Sequence, residues 1–183
     1  QYKGYEKNIN FIVPTGNFGD IFAGYIAKKM GLPIHKLVVA TNINNILERC
    51  LKTGIYEVFD SIKTNSPSMD IQISSNFERL LFDLLNMNST NVDKKMSELS
   101  TNGKFELSKF ELDTFKNNFD AGSINQDETI KIIKDMYDKS HQIIDPHTAI
   151  AVGIHYKNRY KNSIVLSTAH AAKFPDTVEQ AIG

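Results

Sequence analysis

The feature that most constrains the fold is a glycine-containing loop between an apolar run and a helical pattern. Residues 9–13, Ile-Asn-Phe-Ile-Val, form the apolar run, which ends at Pro14, and residues 15–19, Thr-Gly-Asn-Phe-Gly, follow it. From Asp20 to Met30 apolar residues recur at helical spacing. This order of strand, glycine loop and helix is typical of α/β proteins with a parallel sheet, which bind ligands at the carboxyl ends of the strands.

The loop is suited to an anion, although it matches no nucleotide-binding motif. A helix start presents unpaired N–H groups and the positive end of the helix dipole, and both favour a phosphate. Gly16 and Gly19 allow the backbone to approach a ligand closely. However, the spacing fits neither the P-loop nor the Gly-x-Gly-x-x-Gly fingerprint. From these residues alone, a phosphate-binding loop and an ordinary turn both remain open.

The rest of the chain predicts an α/β fold with a mostly parallel sheet flanked by helices. Residues 37–41 predict a second strand, which completes a βαβ unit with a right-handed crossover. Residues 163–167 predict the last strand, and we expect all three strands to share one sheet. Helical patterns predict helices at 43–51, 77–84, 125–137, 145–156 and 175–182.

Charged and polar residues predict where several of these helices begin and which of their side chains face solvent. Ile43, Ile46, Leu47, Cys50 and Leu51 form one apolar stripe, so Glu48, Arg49 and Lys52 are predicted to face outward. Ser75 with Glu78, and Asn125 with Glu128, have the spacing of a capping box. Asp145-Pro146 fits an N-cap followed by the first helical position.

Two segments have weaker patterns. Residues 60–73 contain Ser, Asn and Pro and predict an irregular loop. Residues 86–118 are polar and are interpreted as a variable, insertion-like segment. Val92, Met96 and Leu99 indicate a short helix there, and Phe110 with Phe115 indicate another.

Composition excludes several classes of function. The chain has 183 residues and a formal net charge of zero, so nothing in its charge favours nucleic acid or an acidic membrane surface. It contains no apolar run near the ~20 residues that span a membrane. The one cysteine, Cys50, forms no intrachain disulfide, fits a reducing, cytoplasmic compartment and is predicted to be a core residue. The histidines show no metal-ligand spacing, and we expect no metal site.

Several motifs in order resemble those of the threonine synthase family, which are pyridoxal-phosphate enzymes of the tryptophan-synthase-β class (fold type II). The first is residues 13–20, Val-Pro-Thr-Gly-Asn-Phe-Gly-Asp, which resembles the family's phosphate-binding loop. The others are residues 36–42, 66–71 with 75–79, 145–149 and 167–174, where Ala171 stands in place of a more usual proline. The resemblance covers most of the chain and is weakest around residues 86–118.

The resemblance implies a fold-type-II large-domain portion and a set of residues that bind pyridoxal 5'-phosphate. The cofactor phosphate would lie against the loop residues Thr15, Gly16, Asn17, Phe18 and Gly19. The hydroxyl of Thr168, which follows the last strand, would bond to the pyridine nitrogen, and the neighbouring Ser167 is the alternative. His170, Lys173 and the region of Ser68, Asp70 and Asn76 are further candidates, and the last three could instead form a loop held by its own hydrogen bonds.

The family's Schiff-base lysine has no counterpart in this chain. In the family it lies upstream of the phosphate loop in a Phe-Lys-Asp context, which neither Lys3 nor Lys7 has. The similar Phe115-Lys116-Asn117 lies far downstream, and we interpret Lys116 as an exposed helix lysine. We therefore expect residues 1–183 to be the C-terminal portion of a longer catalytic domain, with no catalytic residue of its own and no activity in isolation.

The activity that the resemblance implies is the conversion of O-phospho-L-homoserine and water to L-threonine and phosphate. Two alternatives stay open. One is a sister pyridoxal-phosphate lyase such as a threonine dehydratase, and the other is a non-catalytic phosphate-binding module. The expected partner is the small-molecule substrate alone, without nucleic acid or membrane, and the sequence does not determine the oligomeric state.

Overall fold

The computed structural model describes residues 8–183, so Lys3 and Lys7 lie outside the described part. The strands are β1 (Ile9–Pro14), β2 (Ile34–Thr41), β3 (Ile55–Glu57), β4 (Lys104–Glu106), β5 (Phe119–Ser123) and β6 (Ser163–Val165). The helices are α1 (Gly19–Lys29), α2 (Ile46–Thr53), α3 (Phe77–Leu84), α4 (Ser89–Asn102), α5 (Lys109–Asn118), α6 (Gln126–Ser140), α7 (Pro146–Asn158) and α8 (Pro175–Ile182). Short 3-10 turns occur at Pro67–Met69 and Ala171–Lys173.

The central sheet has four parallel strands in the order β5-β2-β1-β6. Phe11 of β1 pairs with Leu37 of β2 on one side and with Ile164 of β6 on the other. The expectation that these three strands share one parallel sheet is therefore confirmed. The fourth strand, β5, was not predicted, because its sequence Phe-Asp-Ala-Gly-Ser lacks a β-branched or alternating pattern.

Helices cover both faces of the sheet, and each face has its own apolar core. On one face, α1 to α5 enclose a cluster that includes Phe18, Phe77, Phe115 and Phe119. On the other face, α7 packs Ile150 and Ile154 against Ile12 and Val38. Because both faces are buried, β1 and β2 are nearly continuous apolar runs. The loop after β1 is thus fixed between two packed layers.

A second, antiparallel pair of strands, β3 and β4, joins the segment 86–118 to the main core. The ring of Tyr56 on β3 stacks on Phe105 of β4 with centroids 4.9 Å apart and an interplanar angle of 3°. These three-residue strands were not predicted, because they are too short to show a period. The segment contributes buried side chains such as Leu99 and Phe115, and Lys116 is exposed on α5, as predicted.

Two expectations about helix α2 are wrong. Ile43 precedes the helix and is exposed, because α2 begins only at Ile46. Glu48 is buried rather than facing outward, since Lys52 and the side chain of Asn45 bond to its carboxylate. Burial raises the pKa of Glu48, but these bonds outweigh it and the net pKa is lowered. The apolar stripe alone does not predict this burial, which the ion pair between Glu48 and Lys52, four residues apart on the helix, makes tolerable.

The Ser75–Glu78 capping box is also absent. Helix α3 begins at Phe77 after Asn76, without a side-chain cap, because the N–H and hydroxyl of Ser75 both donate to Asn17 Oδ1 at 3.2 Å. By contrast, the Asn125–Glu128 box and the Asp145 N-cap with Pro146 are confirmed. Within residues 8–183, no helix is long and apolar enough to cross a membrane.

Candidate functional site

Two hydrogen bonds of Thr15 fix the start of the loop after β1. The N–H of Thr15 donates to the carbonyl oxygen of Ala40 at 2.8 Å, and its hydroxyl donates to the carbonyl of Val13 at 2.6 Å. Phe18 has a φ of 65°, and its ring is buried 5.5 Å from the rings of both Phe77 and Phe119. The Phe18 side chain therefore anchors the loop in the core, and only its backbone is available to a ligand.

The backbone carbonyls and the backbone N–H groups of the loop differ in their hydrogen bonding. Its carbonyls are engaged by residues 74–76: Ser74 Oγ donates to the carbonyl of Gly16 at 2.8 Å, and the N–H of Asn76 donates to that of Asn17 at 3.1 Å. In the described part of the chain, no acceptor receives the N–H of Gly16, Asn17 or Phe18. The loop thus presents donors, while the carbonyls of Gly16, Asn17 and Phe18 are already satisfied, which is the polarity that an anion requires.

The two glycines of the loop have different neighbours. A Cβ atom at Gly16 would come within 2.2 Å of the carbonyl oxygen of Ser68. A Cβ at Gly19 would come within 3.3 Å of the side-chain amide nitrogen of Asn76. Only at Gly16 does another backbone segment approach too closely for a side chain.

A cavity of about 230 Å³ opens beside Gly16. Its walls come from four separate parts of the chain: Pro14, Gly16, Ser68, Met69, His147, Thr168 and Ala169. The structure therefore brings Gly16 and Thr168 to one cavity, although they are far apart in the sequence. Of the two hydroxyl candidates, Thr168 lines the cavity, whereas Ser167 Oγ lies 3.3 Å from Thr148 Oγ1.

The start of α7 supplies a buried acid–histidine pair at this cavity. Asp145 Oδ1 accepts from His147 Nδ1 at 2.9 Å, and Asp145 Oδ2 accepts from the hydroxyl of Thr148. Burial raises the pKa of the Asp145 carboxyl, but the hydrogen bonds from His147 and Thr148 outweigh burial, so the net pKa is lowered. His147 is packed against the ring of Phe174 with centroids 4.9 Å apart.

The other predicted site residues take different positions. Asp70 Oδ1 accepts from Asn42 Nδ2 at 2.8 Å and from Thr64 Oγ1 at 2.7 Å, so Asp70 holds the loop 60–73 together. The His170 side chain is exposed and accepts the N–H of Ala172, and Lys173 is also exposed. No cluster of three metal-ligating side chains occurs among residues 8–183.

Sequence reasoning missed His147 as part of this site. The stretch Asp-Pro-His-Thr-Ala was interpreted as a helix start and as one of the family-like motifs, but His147 itself was given no role because the histidines outside the closing motif show no metal-ligand spacing. The contact of His147 with the Ser68 segment occurs through space, so no periodic pattern could predict it. The available signal in the sequence was a histidine two residues after an acidic N-cap.

Comparison with known proteins identifies the family. Residues 148–183 match the family model described as threonine synthase, C-terminal. The chain is 46% identical to threonine synthase of Saccharomyces cerevisiae over 197 positions, which cover 97% of this chain and 38% of the relative. The corresponding values for threonine synthase of Pseudomonas aeruginosa are 42% identity, 96% and 38%. This chain belongs to the threonine synthase family.

A solved threonine synthase confirms the fold. The structure described as PLP-bound threonine synthase from Brucella melitensis superposes with a TM-score of 0.93 at 47% identity, covering 97% of this chain and 39% of that one. The predicted fold class, an α/β portion of a fold-type-II pyridoxal-phosphate enzyme with a mostly parallel sheet, is thereby confirmed. The chain spans less than two fifths of the length of these threonine synthases.

Proposed function

We propose that this chain forms one side of the pyridoxal 5'-phosphate site of a threonine synthase. The activity is that of a carbon–oxygen lyase acting on phosphate, which converts O-phospho-L-homoserine and water to L-threonine and phosphate in threonine biosynthesis. The main support is the cavity that Gly16 and Thr168 share, because the resemblance assigned these two residues to opposite ends of one cofactor.

The phosphate end of the cofactor fits the loop Thr15–Gly19. The N–H groups of Gly16, Asn17 and Phe18 have no other acceptor among residues 8–183, and Gly19 continues the loop into α1. Charge-assisted hydrogen bonds contribute about 1.5–3 kcal/mol each, so backbone donors can hold a phosphate without Lys or Arg. The Thr15 hydroxyl donates to Val13, so in this conformation Thr15 positions the loop rather than donating to the phosphate.

The ring end of the cofactor fits Thr168. When bound, pyridoxal phosphate supplies an electron sink for the reaction. A neutral hydroxyl beside the pyridine nitrogen leaves that nitrogen largely unprotonated, whereas a carboxylate would favour protonation. Because Ser167 Oγ lies beside Thr148, the structure favours Thr168 over Ser167 for this role.

The proposal places the Schiff-base lysine outside this chain. The threonine synthases that this chain matches are more than twice as long as the chain. In a protein of that length, the lysine can lie in the part that this chain does not cover. We propose residues 1–183 as the C-terminal portion of the catalytic domain, inactive without the rest. We propose a cytoplasmic enzyme without a membrane partner, since the single buried cysteine fits a reducing compartment.

A binding experiment tests the cofactor assignment. The full-length apoprotein is titrated with pyridoxal phosphate, with pyridoxal, and with pyridoxal phosphate in the presence of inorganic phosphate, and absorbance is followed. If the loop holds the phosphate, pyridoxal binds much more weakly and inorganic phosphate competes. Equal affinity for pyridoxal and pyridoxal phosphate would show that the loop is an ordinary turn.

A product assay separates the candidate activities. The holoenzyme is incubated with O-phospho-L-homoserine, and L-threonine and phosphate are measured. A parallel incubation with L-threonine measures a 2-oxo acid, which a dehydratase would form. Phosphate release without oxo-acid formation supports the proposal, and the reverse supports the sister lyase. A native protein whose measured mass matches this chain alone, without lyase activity, would instead indicate a phosphate-binding module.

A further inference from the structure

Two walls of the cavity are connected through the first turn of α7. One wall is formed by Gly16 and Ser68, and the other by Thr168 with its neighbour Ser167. Among the hydrogen bonds of residues 8–183, the Asp145 side chain makes none to either wall and bonds only to His147 and Thr148. Its two carboxylate oxygens each accept from a side chain, His147 or Thr148, and each of these side chains reaches one wall.

The first connection fixes the tautomer of His147. Because Asp145 Oδ1 only accepts, His147 Nδ1 must bear the hydrogen of their 2.9 Å bond. In the neutral ring the other nitrogen, Nε2, is then an acceptor. It receives the N–H of Ser68 at 3.3 Å. This bond holds the backbone at Ser68 through its N–H, and the carbonyl of the same residue is the group that leaves no space for a Cβ at position 16.

The second connection joins Thr148 to Ser167. The Thr148 hydroxyl has one hydrogen and two acceptors within reach, Asp145 Oδ2 and, at 3.3 Å, Ser167 Oγ. The Ser167 side chain is thus turned toward α7, which leaves the next residue, Thr168, to face the cavity.

We propose that Asp145, His147 and Thr148 act as positioning residues, which together hold the Ser68–Gly16 wall and the Ser167–Thr168 wall at a fixed separation. The proposal rests on the proposed cofactor site, because the separation of the two walls matters only if the cofactor binds between them. His147 would determine the affinity for the phosphate end, and Thr148 would determine how the ring end is seated.

A simple helix cap is the competing explanation for Asp145. Asp145 Oδ1 does accept the N–H of His147 at 2.9 Å, as an N-cap should. Substitutions at His147 and Thr148 leave Asp145 and its backbone contacts in place, so they separate positioning from capping. The Phe174 contact further allows an aromatic replacement at position 147 that keeps the packing.

The first test compares His147→Phe with His147→Gln in the full-length protein. Phe removes the acceptor for the Ser68 N–H, whereas the Gln side-chain oxygen reaches the position of Nε2. A lost neutral hydrogen bond lowers the population of the binding-competent wall by up to about tenfold. We therefore expect the dissociation constant of pyridoxal phosphate to rise three- to tenfold, roughly, for Phe and to be restored near wild type for Gln.

The second test uses Thr148→Val, which keeps the shape of the side chain and removes its hydroxyl. We expect the absorption and fluorescence of bound cofactor to change, with an affinity within about twofold of wild type, because the ring end moves while the loop is intact. His155→Gln is the matched control, since His155 lies on the same helix and contacts Ser163 at 2.9 Å, away from the cavity. It should leave both readouts unchanged.

A measurement on apoprotein tests the tautomer itself. In protein labelled with ¹⁵N-histidine, His147 should show a protonated Nδ1 and an unprotonated Nε2, assigned by the signal lost in His147→Gln. The opposite tautomer overturns the proposal, as does equal weakening by Phe and Gln, or spectra of Thr148→Val like those of His155→Gln. These outcomes differ from failure of the cofactor site, in which wild-type protein itself would bind pyridoxal as well as pyridoxal phosphate.

Discussion

Gly16 lies so close to Ser68 that a Cβ at position 16 would come within 2.2 Å of the Ser68 carbonyl oxygen. The same atom added to Gly19 would meet only the side-chain amide of Asn76, at 3.3 Å. A side-chain amide can rotate away, whereas the backbone at Ser68 is held by His147 through the Ser68 N–H. Two glycines that look equivalent in the loop sequence therefore have different physical requirements.

Gly16→Ala should impair cofactor binding far more than Gly19→Ala. The first substitution forces two backbone segments apart, an overpacking that typically costs about 1–3 kcal/mol, so we expect at least about a fivefold loss of affinity for pyridoxal phosphate and a lower melting temperature. The second should stay within about twofold, because Asn76 can adjust. Titration of both apoproteins measures the difference. Equal effects of the two substitutions would contradict the close approach at Gly16.

Thr168→Ala should reduce turnover more than it reduces binding. It leaves the loop intact and removes one neutral hydrogen bond, so affinity should fall by about tenfold at most. Turnover should fall further, because the hydroxyl tunes the ring electronics, and Thr168→Asp should shift the cofactor absorption by favouring ring protonation. Phosphate release and absorption spectra are the measurements. Ser167→Ala is the comparison, and if it has the larger effect, the ring contact belongs to Ser167.

The central fold could be predicted because its signals are local. The apolar run before Pro14 predicted β1, and the Asp145-Pro146 pair predicted the start of α7. Each of these depends on a backbone preference that a few neighbouring residues determine. The position of the loop at the carboxyl end of a parallel strand then followed from topology alone.

The parts that could not be predicted depend on partners distant in the sequence. Strand β5 forms because Val39 of β2 offers a partner to Ala121, not because its residues favour a strand. His147 joins the site because it accepts the N–H of Ser68. Each depends on a contact between residues far apart in the sequence, which a periodic pattern along the chain cannot predict.

Cys50 should be chemically inert in the folded protein. Its side chain is completely buried, and burial raises the pKa of the thiol to about 12. The thiolate is the reactive form, so iodoacetamide at pH 8 should leave Cys50 unmodified for hours. Peptide mass spectrometry after labelling measures this. The same protein labelled in guanidinium is the control and should react fully, and rapid labelling of native protein would show that Cys50 is accessible.

Asp145→Asn should remove a stabilising contribution that depends on pH. The carboxyl pKa is lowered in the folded protein, because the bonds from His147 and Thr148 outweigh burial. A lowered folded pKa means that the carboxylate contributes fully above its unfolded pKa of about 3.9, and that this contribution is lost as the pH falls through the folded value. The stability difference between wild type and Asp145→Asn should therefore be largest near neutral pH and shrink in acid.

Thermal unfolding of both full-length proteins between pH 7 and pH 3 measures this difference. Asn retains an oxygen that can cap α7, so a loss of capping contributes little to the comparison. Asp135→Asn is the matched control: the pKa of Asp135 is also lowered, by a hydrogen bond from Lys131, but its side chain is 40% exposed. An exposed pair contributes little to stability, so this control should melt like wild type at every pH. If Asp145→Asn and wild type lose stability in parallel as the pH falls, the buried carboxylate does not contribute as its contacts indicate.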